Sequence, residues 1–342
     1  MNLLFSLIFS TVLSFLFHII MHEIGHFIAG LLTGWRLVHI QIFCFVFTKN
    51  THNTSFQIKK INSISCQCIM YPKSNMSDSS CYTLGGICMN AMLALIFLYE
   101  LNTLPMVGVR WIFTFCFFSC GISVFLMNAV PNTKKICNDM ACYLLCKKEK
   151  YTHYIHNVQL TVAKQLSKGL SYRNCETPVL KENIEANDIL AYQVILEFYY
   201  YLDCDLYYRA KSTLEKIDRD RHISRGVYKI IMLETLYYDL FMDILNKTIL
   251  VLNRNPFYRD LDSYIQKYET AGDIHSERVK AIRKAYQFYR NGDIQGGVQS
   301  LDEAIAGMRK MGALYAGEKI FCLDQLEGIR NILRRDLLMT KL

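Results

Sequence analysis

The first 150 residues are short of charge. They hold five acidic residues, Glu23, Asp78, Glu100, Asp139 and Glu149, against eleven basic ones. From Asn2 to Met21 there is no Asp, Glu, Lys or Arg at all. An uncharged stretch of that length excludes a water-exposed surface helix. Proline is scarce, with five in 342 residues, so long helices can run unbroken. No C-x-x-C pair exists, which excludes a zinc ribbon or a thioredoxin-type redox motif. The 13 cysteines are odd in number, and ten fall in the first 150 residues. Several sit in apolar runs, such as Cys116 and Cys120. They read as small buried hydrophobes in a reducing compartment, and not as a secreted disulfide framework. Phosphate-loop and dinucleotide fingerprints are absent too. No basic stripe interleaved with aromatics stands out, so no nucleic-acid partner is expected.

Three apolar stretches are long enough to span a bilayer, which takes about 20 residues. They run from about Leu3 to Leu32, from Leu84 to Tyr99, and from Trp111 to Val130. The first has no positive n-region and no small-x-small cleavage site, so it reads as a retained span and not a signal peptide. The loop between the first two spans carries Arg36, Lys49, Lys59, Lys60 and Lys73. The segment after the third carries Lys134, Lys135, Lys147, Lys148 and Lys150. This bias predicts an outside N-terminus with a cytoplasmic first loop and C-terminal domain. Within loop one, "RLVHIQIFCFVF" and "SFQIKKINSISCQCIMY" are rich in β-branched and aromatic residues and partly alternate. They predict short strands in a small sheet beside the membrane core.

The first span ends in "HEIGH", His22 to His26, an H-E-x-x-H pattern. On a helix, two histidines four apart lie about 40° apart around the axis and about 6 Å along it. Their imidazoles can converge on one ion. Glu23 borders the same face without being a ligand, which suits a base that takes a proton from water. Ionisable groups at membrane depth are functional by default, so a solvated helix face is a poor explanation. His18 extends the series, but it stands about 12 Å from His26 along the axis and cannot share the same ion. It reads as an inward polar group. A catalytic zinc takes three protein ligands. The side of the membrane on which the pair lies favours Asp139 as the third, with Glu149 and His153 as weaker alternatives.

"HEIGHFIAGLLTGWRLVHIQI" resembles the first core helix and following strand of the site-2 protease family of intramembrane zinc metalloproteases. "LGGICMN" resembles that family's second-helix motif, with Gly86 and Asn90 at the matching positions. "NAVPNTKKICNDM" resembles its third-helix motif, Asn-x-x-Pro followed by an Asp. The resemblance covers roughly residues 1–145. It implies one catalytic Zn2+ held by His22, His26 and Asp139, with Glu23 activating water. Asn90, Asn128, Pro131 and Gly86 would shape substrate binding, and Pro131 would end the third helix. Two departures stand out: the Pro–Asp gap is longer than in many members, and Met140 follows Asp139 where they have Gly. The longer gap is similar to that of some bacterial members linked to small-peptide processing.

Residues 151–342 are charge-rich and nearly balanced, with helical spacing of apolar positions. "DLYYRAKSTLEKI" (205–217) and "DIQGGVQSLDEAI" (293–305) align, each after a tyrosine-rich helix, and resemble tetratricopeptide-type units. The expected fold is therefore mainly α. It comprises a three-helix transmembrane metalloprotease core with a small β element (1–145), then an all-α, repeat-like cytoplasmic domain (151–342). The expected partners are the lipid bilayer, a membrane protein or peptide substrate, and a protein or peptide regulator at the helical domain. The alternative is a catalytically silent scaffold, and an intact Glu23 argues against it.

Overall fold

The computed structural model describes residues 3–49, 54–58, 66–105, 108–133, 137–180, 187–217, 223–248, 261–268 and 273–339. Lys59, Lys60, Lys134 and Lys135, used above for orientation, lie outside them. The fold is mainly helical. The chain divides into two compact units, residues 1–161 and 162–342.

The first unit begins with α1 (Leu3–Leu32), followed by β1 (Arg36–Ile42), β2 (Phe45–Lys49), β3 (Thr54–Ile58) and β4 (Cys66–Tyr71). Then come α2 (Ser80–Thr103), α3 (Val109–Ala129), α4 (Asp139–Lys148) and the start of α5 (Lys150–Ser167). Helices α1, α2 and α3 are each long and apolar enough to cross a membrane. Their outward faces show the reason. Phe5 and Phe9 on α1, Leu95 and Tyr99 on α2, and Phe115 and Met127 on α3 are all exposed. In water that would be a costly apolar surface; in a bilayer it is the lipid-facing one.

The inward stripe of α1 is different in kind. Ser6, Ser10, Ser14, His18, His22 and His26 recur every four residues, and all are buried. Four-residue steps place successive side chains on one face. Small serines allow close packing, and Ser14 Oγ donates to the Cys116 carbonyl at 3.1 Å. Nearest the site, α1 and α2 touch backbone to backbone. A Cβ on Gly85 would stand 2.5 Å from the Gly25 carbonyl oxygen, and one on Gly25 would stand 2.5 Å from that of Gly85. Only glycine fits at either position.

The four strands form one antiparallel sheet in the order β3-β2-β1-β4. The run "RLVHIQIFCFVF" is broken in two by a tight turn at Phe43, whose φ is +53°. Neither Gly nor Asn marks this turn, so propensity does not announce it. β4 seats the sheet on the helices. The Tyr82 hydroxyl donates to the Cys68 carbonyl at 2.6 Å, and the Tyr82 ring stacks on Trp35 at 4.7 Å between centroids. Trp35, Cys68, Met70 and Tyr82 form one buried cluster with Leu160 of α5. The start of α5 is also tied to the segment before α2. Asn157 Nδ2 donates to the Asn75 and Ser77 carbonyls at 3.0 and 2.8 Å. These ties explain why the first compact unit extends to residue 161, past the break expected near residue 150.

The second unit follows the end of α5 with a 3-10 turn (Tyr172–Asn174). Its helices are α6 (Asp188–Asp203), α7 (Tyr207–Glu215), α8 (Arg225–Leu245), α9 (Leu261–Tyr268), α10 (Ile274–Arg290), α11 (Ile294–Lys310) and α12 (Ala316–Met339). Side-chain caps start several of them: Asn187 for α6, Ser224 for α8, Asp273 for α10 and Asp293 for α11. The two aligned segments become α7 and α11, each the second member of a helix pair. Of the tyrosine run, Tyr199 and Tyr201 are buried, whereas Tyr208 is exposed. These tyrosines mainly pack helix against helix.

At the centre of this unit lies a charge pair. The Arg278 guanidinium is fully buried against Glu234, and Tyr199 donates to the same carboxylate at 2.8 Å. Arg278 also lies 3.9 Å above the Tyr237 ring. Desolvation opposes the Arg278 charge, but Glu234 together with the neighbouring Cys322, Tyr237 and Tyr199 raises the guanidinium pKa further above its ordinary value.

Two outcomes are expected at glycines and one at the buried charge pair. Gly85→Val drives side-chain atoms into the Gly25 backbone and should destabilise the helix core by about 1–3 kcal/mol. Gly328→Ala meets nothing within 4 Å and should be neutral or slightly stabilising. Thermal unfolding in detergent checks both. Glu234→Ala leaves Arg278 buried without a counter-charge and should cost about 3–5 kcal/mol, read by denaturant unfolding.

Candidate active site

The HEIGH stretch sits in the last third of α1, on the face that meets α2. His22, Glu23 and His26 are each 7% exposed. Asp139 arrives from a different element, as the first residue of α4. Its Oδ2 lies 2.8 Å from His22 Nε2 and 3.2 Å from His26 Nε2, and the two Nε2 atoms are 3.1 Å apart. One donor atom from each residue falls within 4.8 Å of the others. Among the described residues this is the one group of three or more such side chains that converge so closely.

The surroundings hold each member in place. His26 Nδ1 lies 2.8 Å from the Tyr82 carbonyl. A carbonyl can only accept, so Nδ1 carries the ring proton and the Nε2 lone pair faces inward. Asn90 meets His22 Nδ1 at 3.0 Å. Gly86 lies directly under the two rings. A Cβ there would stand 2.5 Å from His22 Cε1 and 2.6 Å from either Nε2. Glu23 takes a hydrogen bond from the Cys68 backbone on β4.

Asp139 depends on its neighbour. Asn138 caps α4 by accepting from the Ala141 N–H at 3.1 Å. Its Nδ2 donates to the Met127 and Val130 carbonyls at 2.8 and 2.7 Å, where α3 ends. One side chain thus fastens α4 to the end of α3 and aims the next residue at the histidines.

A cavity of about 440 Å³ opens beside these groups. Its walls include His22, Glu23, His26 and Asp139, the β4 residues Cys66 to Ile69, and Asn128 of α3. Of the four residues expected to contact substrate, Asn128 lines it, with its amide bonded back to the Val124 carbonyl at 3.1 Å. The other three are placed differently. Asn90 is fully buried behind His22 and has no face on the cavity. Gly86 lies beneath the rings and makes room for them. Pro131 is exposed, just past the end of α3, and does not line the cavity.

The alternative third ligands are engaged elsewhere. Glu149 accepts from Thr152 at 3.0 Å, and His153 meets the Ser79 N–H at 3.3 Å. Asp78 binds the Ser80 N–H and hydroxyl, and Glu100 pairs with Arg110 at 2.9 Å. Two wall residues went unnoticed in the sequence, Cys142 and His156, 3.9 Å apart. Asn138 was missed as well. The capping pattern Asn-Asp before an apolar run was its available signal.

Two imidazoles and a carboxylate, buried and convergent, are the donor set of a three-ligand catalytic zinc. Lone pairs that face one another at these distances call for a cation among them, and the Gly86 hollow leaves it space. The residues present fit such an ion. A membrane-spanning helix bundle with a buried His-Glu-His-Asp cluster defines a membrane-embedded metalloprotease. The family model described as Peptidase family M50 matches residues 10–202, more than half of the chain, and the chain belongs to that family, the site-2 proteases. Comparison with curated proteins and with solved structures returns no match.

Gly86→Ala should push the two rings apart and weaken zinc binding at least about 10-fold, the scale on which displaced support of metal ligands acts. Competition with a chromogenic chelator measures this. Apo-protein unfolding should change far less than the affinity does.

Proposed function

We propose that this protein is an intramembrane zinc endopeptidase that cuts membrane-embedded or membrane-associated protein or peptide substrates near the cytoplasmic face. The observation that carries the proposal is the meeting of Asp139, from α4, with the HEIGH histidines of α1. In this reading His22, His26 and Asp139 hold the ion. A zinc ion there supplies Lewis acidity that makes water nucleophilic at neutral pH.

The remaining work falls to the chain's own residues. Glu23, one position on from His22, borders the cavity and takes the proton of the attacking water. It then returns a proton to the leaving amine. The Cys68 N–H on its carboxylate holds it in place for both transfers. Asn128 is the wall residue suited to grip the substrate backbone, by exchanging its bond to Val124 for one to the peptide. Substrate must be unwound at the cut, because a helical peptide hides its amides in its own hydrogen bonds. The β4 wall offers an extended backbone against which an unwound segment can lie.

The lysine bias of the loops supports the N-terminus outside and the HEIGH end towards the cytoplasm. In this topology the second unit, residues 162–342, is cytoplasmic. It is a helical, repeat-like array, and we assign it the recognition of a substrate or regulatory protein.

Glu23→Gln should keep one zinc per chain but lower cleavage by about 10²–10⁴-fold, the usual worth of a general base. His22→Ala, His26→Ala and Asp139→Ala should lose the metal. Elemental analysis and cleavage of a transmembrane reporter in proteoliposomes read the two properties separately. Purified wild type without zinc, or a Glu23→Gln variant with full cleavage, would overturn the proposal.

A further inference from the structure

His18 is fully buried in α1, one helical turn before His22, and takes no part in gathering the ion. A buried imidazole at membrane depth is costly unless both ring nitrogens are paired. One of them is: Nε2 lies 2.9 Å from the Phe117 carbonyl. Because a carbonyl only accepts, His18 carries its proton on Nε2. In the neutral ring Nδ1 is then a bare acceptor that needs a donor.

The Asn90 amide touches both histidines. Its Nδ2 is 3.0 Å from His22 Nδ1, and it also interacts with the His18 ring. With the amide in that orientation, His18 Nδ1 and Asn90 Oδ1 are both buried without a hydrogen-bond partner. Turning the amide over exchanges its nitrogen and oxygen and moves nothing else. Oδ1 then accepts from His22 Nδ1–H, and Nδ2 is turned towards the His18 ring. Oδ1 is thereby paired, and His18 faces a donor instead of a second acceptor.

We infer that His18 is a positioning residue: through Asn90 it fixes His22 in the Nδ1–H form, so that the Nε2 lone pair points at Asp139 and His26. The chain runs from the Phe117 carbonyl to His18, to Asn90, to His22. Tyr82 does the same for His26 in a single step. For His22 the nearest group on α2 is a reversible amide, which takes its direction from whatever lies behind it. His18 supplies that direction. Its own ring is held by Phe17, Phe97 and Phe117, whose centroids lie 5.4, 6.0 and 6.2 Å away. Gly121 leaves it room, since a Cβ there would stand 2.7 Å from His18 Cε1.

This inference rests on His22 being a ligand, and the tests separate the two ideas. The first uses the full-length, metal-free wild type in lipid bilayers with ¹⁵N-labelled histidine. The expected result is His18 protonated on Nε2 and His22 on Nδ1. His22 protonated on Nε2 overturns the relay, whatever the variants do. The second is zinc affinity by chelator competition. His18→Phe keeps a ring but removes the acceptor, and should weaken binding about 10–100-fold. His18→Gln offers an amide oxygen to Asn90 and should restore most of the affinity. Asn90→Leu should lose as much as His18→Phe, and the double variant no more than either, since they break one chain. Wild-type affinity in His18→Phe, or additive losses in the double variant, would show that His18 only fills space. Loss of zinc in His22→Ala with full affinity in His18→Phe would leave the ligand set standing and remove the relay.

Discussion

The contact of Gly25 with Gly85 is the approach on which the rest of the site depends. With any side chain at either position, α1 and α2 would stand further apart. Gly86 would no longer lie under the imidazoles, the Tyr82 carbonyl would lose His26, and Asn90 would lose His22. Van der Waals contact drives helix association in lipid, where the hydrophobic effect gives helices no preference for one another. Two glycines facing each other maximise that contact at the point where the polar groups must meet. The glycine of HEIGH is thus a packing residue among chemical ones.

A bilayer supplies no water to satisfy stray polar atoms, and the first unit is built accordingly. Ser14 and His18 of α1 find partners on α3, and His22 and His26 find theirs on α2. The sheet contributes from outside the helices: Cys68 gives its N–H to Glu23 and its carbonyl to Tyr82. The second unit handles buried polarity differently. Arg278 and Glu234 are enclosed with Tyr199 and Tyr237, a pairing that adds little net stability over an apolar core but penalises any arrangement that separates them.

Much of this was legible in the chain, for reasons that can be traced. The three spans were visible because lipid demands long uncharged runs, and their centres fell where expected. His22, Glu23, His26 and Asp139 stood out because charge is so scarce in the first 150 residues that each polar group draws attention. The turn at Phe43 was hidden, since a positive φ at Phe is imposed by strand pairing and not by local preference. Asn138 was overshadowed by the aspartate beside it. That Asn90 stands behind His22, 3.0 Å from its Nδ1, was not legible, because sequence gives position along a helix but not what a side chain meets. Likewise, Arg278 and Glu234 look like ordinary surface charges until the helices that bury them are assembled.

The way Asn138 is fastened has a consequence for biogenesis. The histidine pair is synthesised with α1, but Asp139 follows only after α3. Its aim depends on α3 having ended in the right place, because Asn138 reads the Met127 and Val130 carbonyls. On the proposed ligand set, a chain with one or two spans inserted offers the ion only two of its three ligands. Tight metal uptake would then come last, as a checkpoint passed by completely threaded molecules. On that reading the membrane-embedded protease would be inert throughout its own insertion.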